Sequence, residues 1–181
     1  MKKIYFLLLI NISPAFSLAQ GFYNHHWLLG SYNFLQDPKG RIVFDANSYT
    51  HIPEFRKMSF KGTEATICNS QGDFLMSSNG VWIANANNDT MMNGSGLNPN
   101  GITSSWAFGL PAVYNNVFLN FPNDTTQFAL FHHTFIQLGA NYYVTELYSS
   151  SIDMQLDSGL GGVTYKNNII IQDTLAGGIA A

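Results

Sequence analysis

From Thr63 onward the chain alternates short runs of β-branched and aromatic residues with clusters of Asn, Asp, Gly and Ser. Apolar and polar positions within the runs repeat with a period near two, which predicts strands joined by turns. Thr63 to Cys68 is the first candidate strand. Asn69-Ser70-Gln71-Gly72 turns the chain, and Gly72 suits a positive φ because it has no Cβ to clash. Asp73 to Ser78 returns, Asn79-Gly80 turns again, and Val81 to Ala86 follows. Asn-Gly between two such runs predicts a type I′ hairpin, whose two central residues both need φ > 0. The three strands should form an antiparallel meander.

Asn87 to Ser105 is rich in Asn and Gly and reads as a long connection anchored by Met91, Met92 and Leu97. A second set of strands follows over Ala112 to Leu119, Gln127 to Phe135, Tyr142 to Ile152 and Val163 to Ile171. Turns are expected at Asn123-Asp124 and over Leu138 to Asn141. On the strand from Tyr142, alternation places Tyr142, Val144, Glu146 and Tyr148 on one face and Tyr143, Thr145 and Leu147 on the other. No segment carries a sustained helical period with caps, and Leu156 to Leu160 offers a single turn of helix. The fold class is all-β, built of antiparallel meanders as partial β-propeller-like blades, with a β-sandwich as the alternative. Blades of roughly 40–50 residues would give about three after the leader, fewer than the 4–8 that usually close a ring.

The start of the chain has a different pattern. Lys2 and Lys3 precede an apolar run from Tyr5 to Ile12, and Ser17-Leu18-Ala19 before Gln20 places small residues where a signal peptidase reads. The run is far short of the roughly 20 apolar residues a membrane span needs. Residues 1–19 are therefore expected to be a cleaved signal peptide, leaving 20–181 as one exported domain, secreted or held at the cell surface without a transmembrane anchor. Charged residues make up 10% of the chain and aromatics 14%, a balance that argues against disorder. The net charge of −3 becomes −5 without Lys2 and Lys3, which leaves no basic surface for nucleic acid. Cys68 is the single cysteine, so no intrachain disulfide forms and no cysteine is placed for a lipid anchor; a buried strand position suits it best.

Several segments together resemble a known pattern. Gly62 to Ile67, then Gly72-Asp73-Phe74-Leu75-Met76-Ser77-Ser78-Asn79-Gly80-Val81-Trp82, is similar to a strand, an Asn/Asp-Gly turn and a Val-Trp pair in large secreted proteins of Bacteroidota. Met92-Asn93-Gly94-Ser95-Gly96-Leu97 resembles the family's Met-x-Asn-Gly-x-Gly-Leu loop, and Phe128-Ala129-Leu130-Phe131-His132 its Tyr-x-Leu-Phe-His strand. Tyr148, Ile152-Asp153-Met154, Leu156-Asp157, Gly159-Leu160-Gly161, Lys166-Asn167 and Asp173-Thr174-Leu175 extend the match. The resemblance implies an N-terminal β-propeller-like (WD40-like) region, in proteins that often carry PKD-like modules and end in a type IX secretion sorting domain. Residues 1–181 depart from it after Gly177-Gly178, where neither the family's His-Ala-Asn-Gly-Arg-Asp-Trp-Trp-like strand nor a sorting domain follows within the sequence. Trp27-Leu28-Leu29-Gly30 fits the expected Trp-x-Phe-Gly only loosely. Both departures lead us to expect a domain incomplete at its C-terminal end, with an exposed sheet edge that promotes self-association.

Candidate chemistry is sparse. His25-His26 and His132-His133, with His51 and Asp45 as further donors, suggest a metal. Neighbouring histidines on a strand point to opposite faces, however, and no spaced ligand set accompanies them, so no metal or other cofactor is expected. His132 suits a hydrogen-bonded interior position. Glu54, Glu64, Glu146, Asp153 and Asp157 are the carboxylates available for acid–base work, and Glu64 equally suits accepting hydrogen bonds from a turn. Asp153 and Asp157 suit turns, as do Asp89 and Asp124, which lack the spacing of a calcium loop. No nucleophile elbow, phosphate loop or His-Glu-x-x-His motif is present, and no catalytic residue is assigned. Trp27, Trp82, Trp106 and the Tyr142-Tyr143 pair are the candidate ligand contacts, through stacking on sugar faces; Trp82, directly after its turn, is expected in the core. The expected function is a non-enzymatic binding or scaffolding module whose partner is an extracellular protein or glycan. The alternative is a polysaccharide hydrolase or lyase using Glu64 or Asp153, which requires two carboxylates converging in one cleft.

Overall fold

The computed structural model describes residues 23–30, 39–175 and 179. The leader, residues 1–19, and the Gly177-Gly178 segment lie outside the described residues. The strands are β1 His26–Leu28, β2 Arg41–Phe44, β3 Tyr49–Ile52, β4 Ala65–Cys68, β5 Phe74–Ser78, β6 Trp82–Ala84, β7 Thr90–Ser95, β8 Asn116–Asn120, β9 Gln127–His132, β10 Phe135–Leu138, β11 Asn141–Asp153 and β12 Gly162–Leu175. Helical structure is confined to α1, Gly101–Ser104, and a 3-10 turn at Asp157–Gly159. The protein is all-β.

The first meander is present and gains a fourth strand. β4, β5 and β6 pair antiparallel in chain order, and β7 adds to β6. β7 falls inside the stretch expected to be a connection. Its Asn and Gly content hides a strand in which Met91 is buried while Met92 is exposed. Gly94 eases a close strand approach there, since a Cβ would lie 3.0 Å from the Ile83 carbonyl oxygen. The second set pairs as β8–β9–β11–β12, with β10 added to the start of β11. The run expected from Gln127 to Phe135 is split at His133-Thr134: β9 lies between β8 and β11, whereas β10 continues along β11 alone.

A single parallel bridge, Gly162 opposite Met92, joins the two sets into one nine-stranded sheet. Its end strands β4 and β8 come into contact, so the sheet is nearly closed and barrel-like. Inside it lie Ile67, Met76, Ile83, Met91, Leu97, Phe128, Leu130 and Ile152. β5 and β6 are buried on both faces, because β1–β3 and the Met58–Phe60 stretch cover their outer side. Leu28, Met58, Phe60, Phe74 and Ala84 form that second core, and half-buried Trp82 packs on it as expected. β1–β3 form a small antiparallel sheet of their own. Buried Arg56 ties this cover down, donating to the carbonyl oxygens of Gly40 and Leu29 and pairing with Glu54.

The Asn79-Gly80 turn departs from type I′. Gly80 has φ +83° but Asn79 keeps a negative φ. Fully buried Asn79 instead accepts from the backbone N–H of Val81 and Trp82 through Oδ1 and donates to the Ser59 carbonyl. Burial of its carboxamide against the Ser59 carbonyl, rather than hairpin twist, sets this turn.

Candidate functional site

An open groove of about 870 Å³ lies where α1, the 106–115 segment, β10, the start of β11 and the end of β12 meet. Each wall has a local cause. The side chain of Asn100 caps α1 by accepting from the Thr103 N–H at 2.9 Å, and its Nδ2 reaches the Phe135 carbonyl at 3.4 Å, tying helix to strand. The opposite wall is held by Thr63, whose N–H donates to the Leu110 carbonyl at 3.0 Å and whose hydroxyl donates to the Ala112 carbonyl at 2.6 Å. Gly62 permits this approach, because a Cβ there would stand 2.3 Å from the Pro111 carbonyl oxygen.

The lining is aromatic and carries no charge. Trp106, Phe135, Tyr142 and Tyr143 contribute rings, with Phe135 edge-on to Tyr142 at 5.2 Å. Tyr142 is 61% exposed, so its ring is available to a ligand. Lys61 places its ammonium 3.5 Å from the Trp106 ring centroid, which fixes one face of that indole. Asn115 and Gln137 are the polar lining side chains. Of the residues singled out from the sequence, Trp106 and the Tyr142-Tyr143 pair are brought together here. Trp27 and Trp82 are elsewhere. Phe135 and Asn115 complete the groove without having stood out in the sequence, where one ended a candidate strand and the other lay inside the strand expected from Ala112 to Leu119.

Trp27, 56% exposed on β1, lines a smaller groove of about 430 Å³ with His26, Tyr114 and Glu64. Glu64 keeps accessible surface, yet the surrounding protein crowds its carboxyl. That desolvation raises its pKa to about 7, and the positive charge of Arg56 opposes the rise. No turn donor serves Glu64 among the described residues. Asp153, the other proposed acid or base, lies far from it. Ala65 pairs with Ser78, whose Oγ meets the Asn116 carboxamide at 2.9 Å, whereas Asp153 pairs with Gln127 beyond the Asn120 end of β8. The two carboxylates stand at opposite ends of the sheet and share no cleft. Asp153, Asp124 and Asp45 instead accept backbone N–H groups of their own turns, and Asp89 pairs with Lys57.

The histidines also separate. His25 and His26 do not splay to opposite faces, because His25 precedes the strand; their rings lie 5.3 Å apart, with His26 stacked on Phe74. His51 is exposed on β3. Among the described residues no three His, Cys, Asp or Glu side chains gather as a metal would require. His132 is fully buried and hydrogen-bonded at both nitrogens. Asn98 Nδ2 donates to the Gly80 carbonyl, so its Oδ1 accepts from His132 Nδ1–H at 2.8 Å. The Asn167 N–H donates to Ser150 Oγ, which leaves the Ser150 hydroxyl to donate to His132 Nε2 at 2.9 Å. Burial, with a smaller push from His133, lowers the His132 pKa to about 3, so the ring is a neutral structural link. Cys68 is buried beneath β1, and burial raises its thiol pKa.

No described helix is long and apolar enough to cross a membrane. Compared with known proteins, the chain matches no family model, no curated protein and no solved structure.

Proposed function

We propose that this chain is an exported, non-enzymatic binding module that takes an extracellular glycan in the groove between α1, β10 and β11. The observation that carries the reading is the meeting of Trp106, Phe135, Tyr142 and Tyr143 in one uncharged groove of about 870 Å³. Aromatic faces stack on the apolar faces of sugar rings, and a lining without charge favours a neutral ligand over an acidic one. The leader pattern over residues 1–19 supports export. The resemblance to β-propeller-like regions of secreted Bacteroidota proteins supports the same reading. Its segments Gly62–Ile67, Gly72–Trp82 and Met92–Leu97 fall on β4 to β7, which run as an antiparallel meander within the larger sheet.

The test is a titration of the purified protein, followed by tryptophan fluorescence, with uncharged hexasaccharides (cello-, chito- and mannohexaose) and with acidic oligogalacturonate. Saturable binding of a neutral probe that Trp106→Ala weakens about tenfold or more is the expected outcome. Equal response to neutral and acidic probes, or no loss in Trp106→Ala, would overturn the assignment.

A further inference from the structure

The smaller groove holds a carboxylate for which the fold supplies no counter-ion of its own. It lies where the two ends of the nearly closed sheet meet, lined by Glu64 and Thr66 at the start of β4, by Val113 and Tyr114 ahead of β8, and by β1. Thr63, Ala65 and Ile67 are buried, the last two inside the barrel, so alternation turns Glu64 and Thr66 to the outer face. Glu64 is exposed there, and its carboxyl accepts no hydrogen bond and forms no ion pair among the described residues. Arg56, whose charge acts on it, is committed to Glu54 and two carbonyl oxygens. Crowding without a partner holds the Glu64 pKa at about 7. Two aromatic residues share the groove. Trp27 sits edge-on to Phe44 at 4.9 Å and stays 56% exposed. Tyr114 is 73% exposed at φ +57°, a left-handed conformation that strains a bulky residue, and strain of this kind clusters at ligand sites.

We propose that this groove binds a small organic molecule through a primary ammonium group, with Glu64 as the counter-ion and the Trp27 and Tyr114 rings beside it. A partly desolvated carboxylate gains from a cationic partner, and aromatic faces attract the same charge. Among the described residues no set of three metal ligands includes Glu64, so the cation is organic. About 430 Å³ lies at the small end of ligand pockets. The site is independent of the glycan reading, which concerns the other groove.

The experiment titrates the purified protein by NMR with butylammonium, butanol and butyrate, which share one chain and differ in charge. Butylammonium should bind saturably and about tenfold or more tightly than butanol, with butyrate weakest. Glu64→Gln should erase that margin while keeping or raising the melting temperature, because an amide has no charge to desolvate. Trp27→Leu should weaken butylammonium about threefold or more. A pH series adds a second readout. Around Glu64 stand Arg56 and Arg41, both paired with Glu54, the Tyr114 phenol, and His26, which burial and then Arg41 push below 6.5. Between pH 6.5 and 8 wild-type affinity should therefore rise about fourfold as Glu64 ionises, and stay flat in Glu64→Gln. Glucosamine and lysinamide, run alongside, identify a sugar or a side chain as the source of the amine. Equal binding of butylammonium and butanol, or a margin that survives Glu64→Gln, would overturn the site; unchanged affinity in Trp27→Leu would remove Trp27 from it. None of these results bears on Trp106 or the glycan groove.

Discussion

Asparagine carries much of the structural load at the level of single residues. Asn69, Asn79 and Asn85 each accept two backbone N–H groups of their own turns, while Asn93, Asn98 and Asn167 adopt positive φ near 57°, 50° and 56°. Composition showed these as punctuation; whether a given carboxamide faces water or a core depends on long-range packing that spacing does not encode. Asn79→Ala removes two acceptor bonds and one donor bond from a fully buried site, and chemical denaturation should show a loss of about 2–4 kcal/mol. His132 gives a pH-dependent counterpart. The folded protein holds its pKa at about 3 and the unfolded chain returns it to 6.5, so the unfolded chain takes up the proton first. Its contribution to stability is complete above about pH 6.5 and is lost progressively as pH falls toward 3. Denaturation at pH 7 and pH 4.5 should show the wild type losing stability on acidification. His132→Gln should start lower by about 1–3 kcal/mol and lose less between the two pH values. The opposite sign applies to Glu64: NMR titration of its carboxyl should give a midpoint near 7, far above an ordinary glutamate.

Strands with clear alternation were legible as elements. β4, β5, β6, β9, β11 and β12 all stand within a few residues of where the pattern places them. β7 was not, because Asn93 and Gly94 mark it as loop while Met91 is its one buried apolar side chain. β1–β3 precede the first run that the periodicity resolves, and they are short and mostly exposed or half-buried, so no two-residue rhythm of burial develops. The groove was half legible: aromatics are visible in any sequence, but their convergence depends on Gly62 and Thr63 holding the 110–112 segment 49 residues away. The far half of β12 has its own consequence. Ile169, Ile170 and Ile171 are all exposed, and among the described residues that stretch pairs only with β11. An unpaired edge of consecutive β-branched residues without a lysine or proline beside it templates further pairing. Light scattering over a concentration series should show self-association of the wild type that Ile170→Lys reduces.

The whole molecule is a nearly closed sheet with a small sheet laid over one side. The cover depends on Arg56, which is 3% exposed and serves two carbonyls and a carboxylate. Cys68 lies beneath it, its N–H bonded to the Tyr23 carbonyl at 2.9 Å. The thiol thus reports on the cover. Native protein should react with a disulfide reagent far more slowly than unfolded protein, and Arg56→Ala should accelerate labelling while costing about 3–5 kcal/mol. The seam between β7 and β12 extends this reasoning from equilibrium to time. One backbone bridge spans it, and side chains do the remaining stitching: Asn93 to the Val163 carbonyl, Lys166 to the carbonyls of Asn93 and Ser95, Asn167 to the Gly96 carbonyl. These partners are about 70 residues apart in the chain, whereas each meander pairs neighbours. Loop closure over that separation earns no contacts until both meanders exist, so they form first and the seam zips last. Asn93 and Lys166 then belong to the late side of the folding barrier, where truncation hastens unfolding and leaves the refolding rate almost untouched.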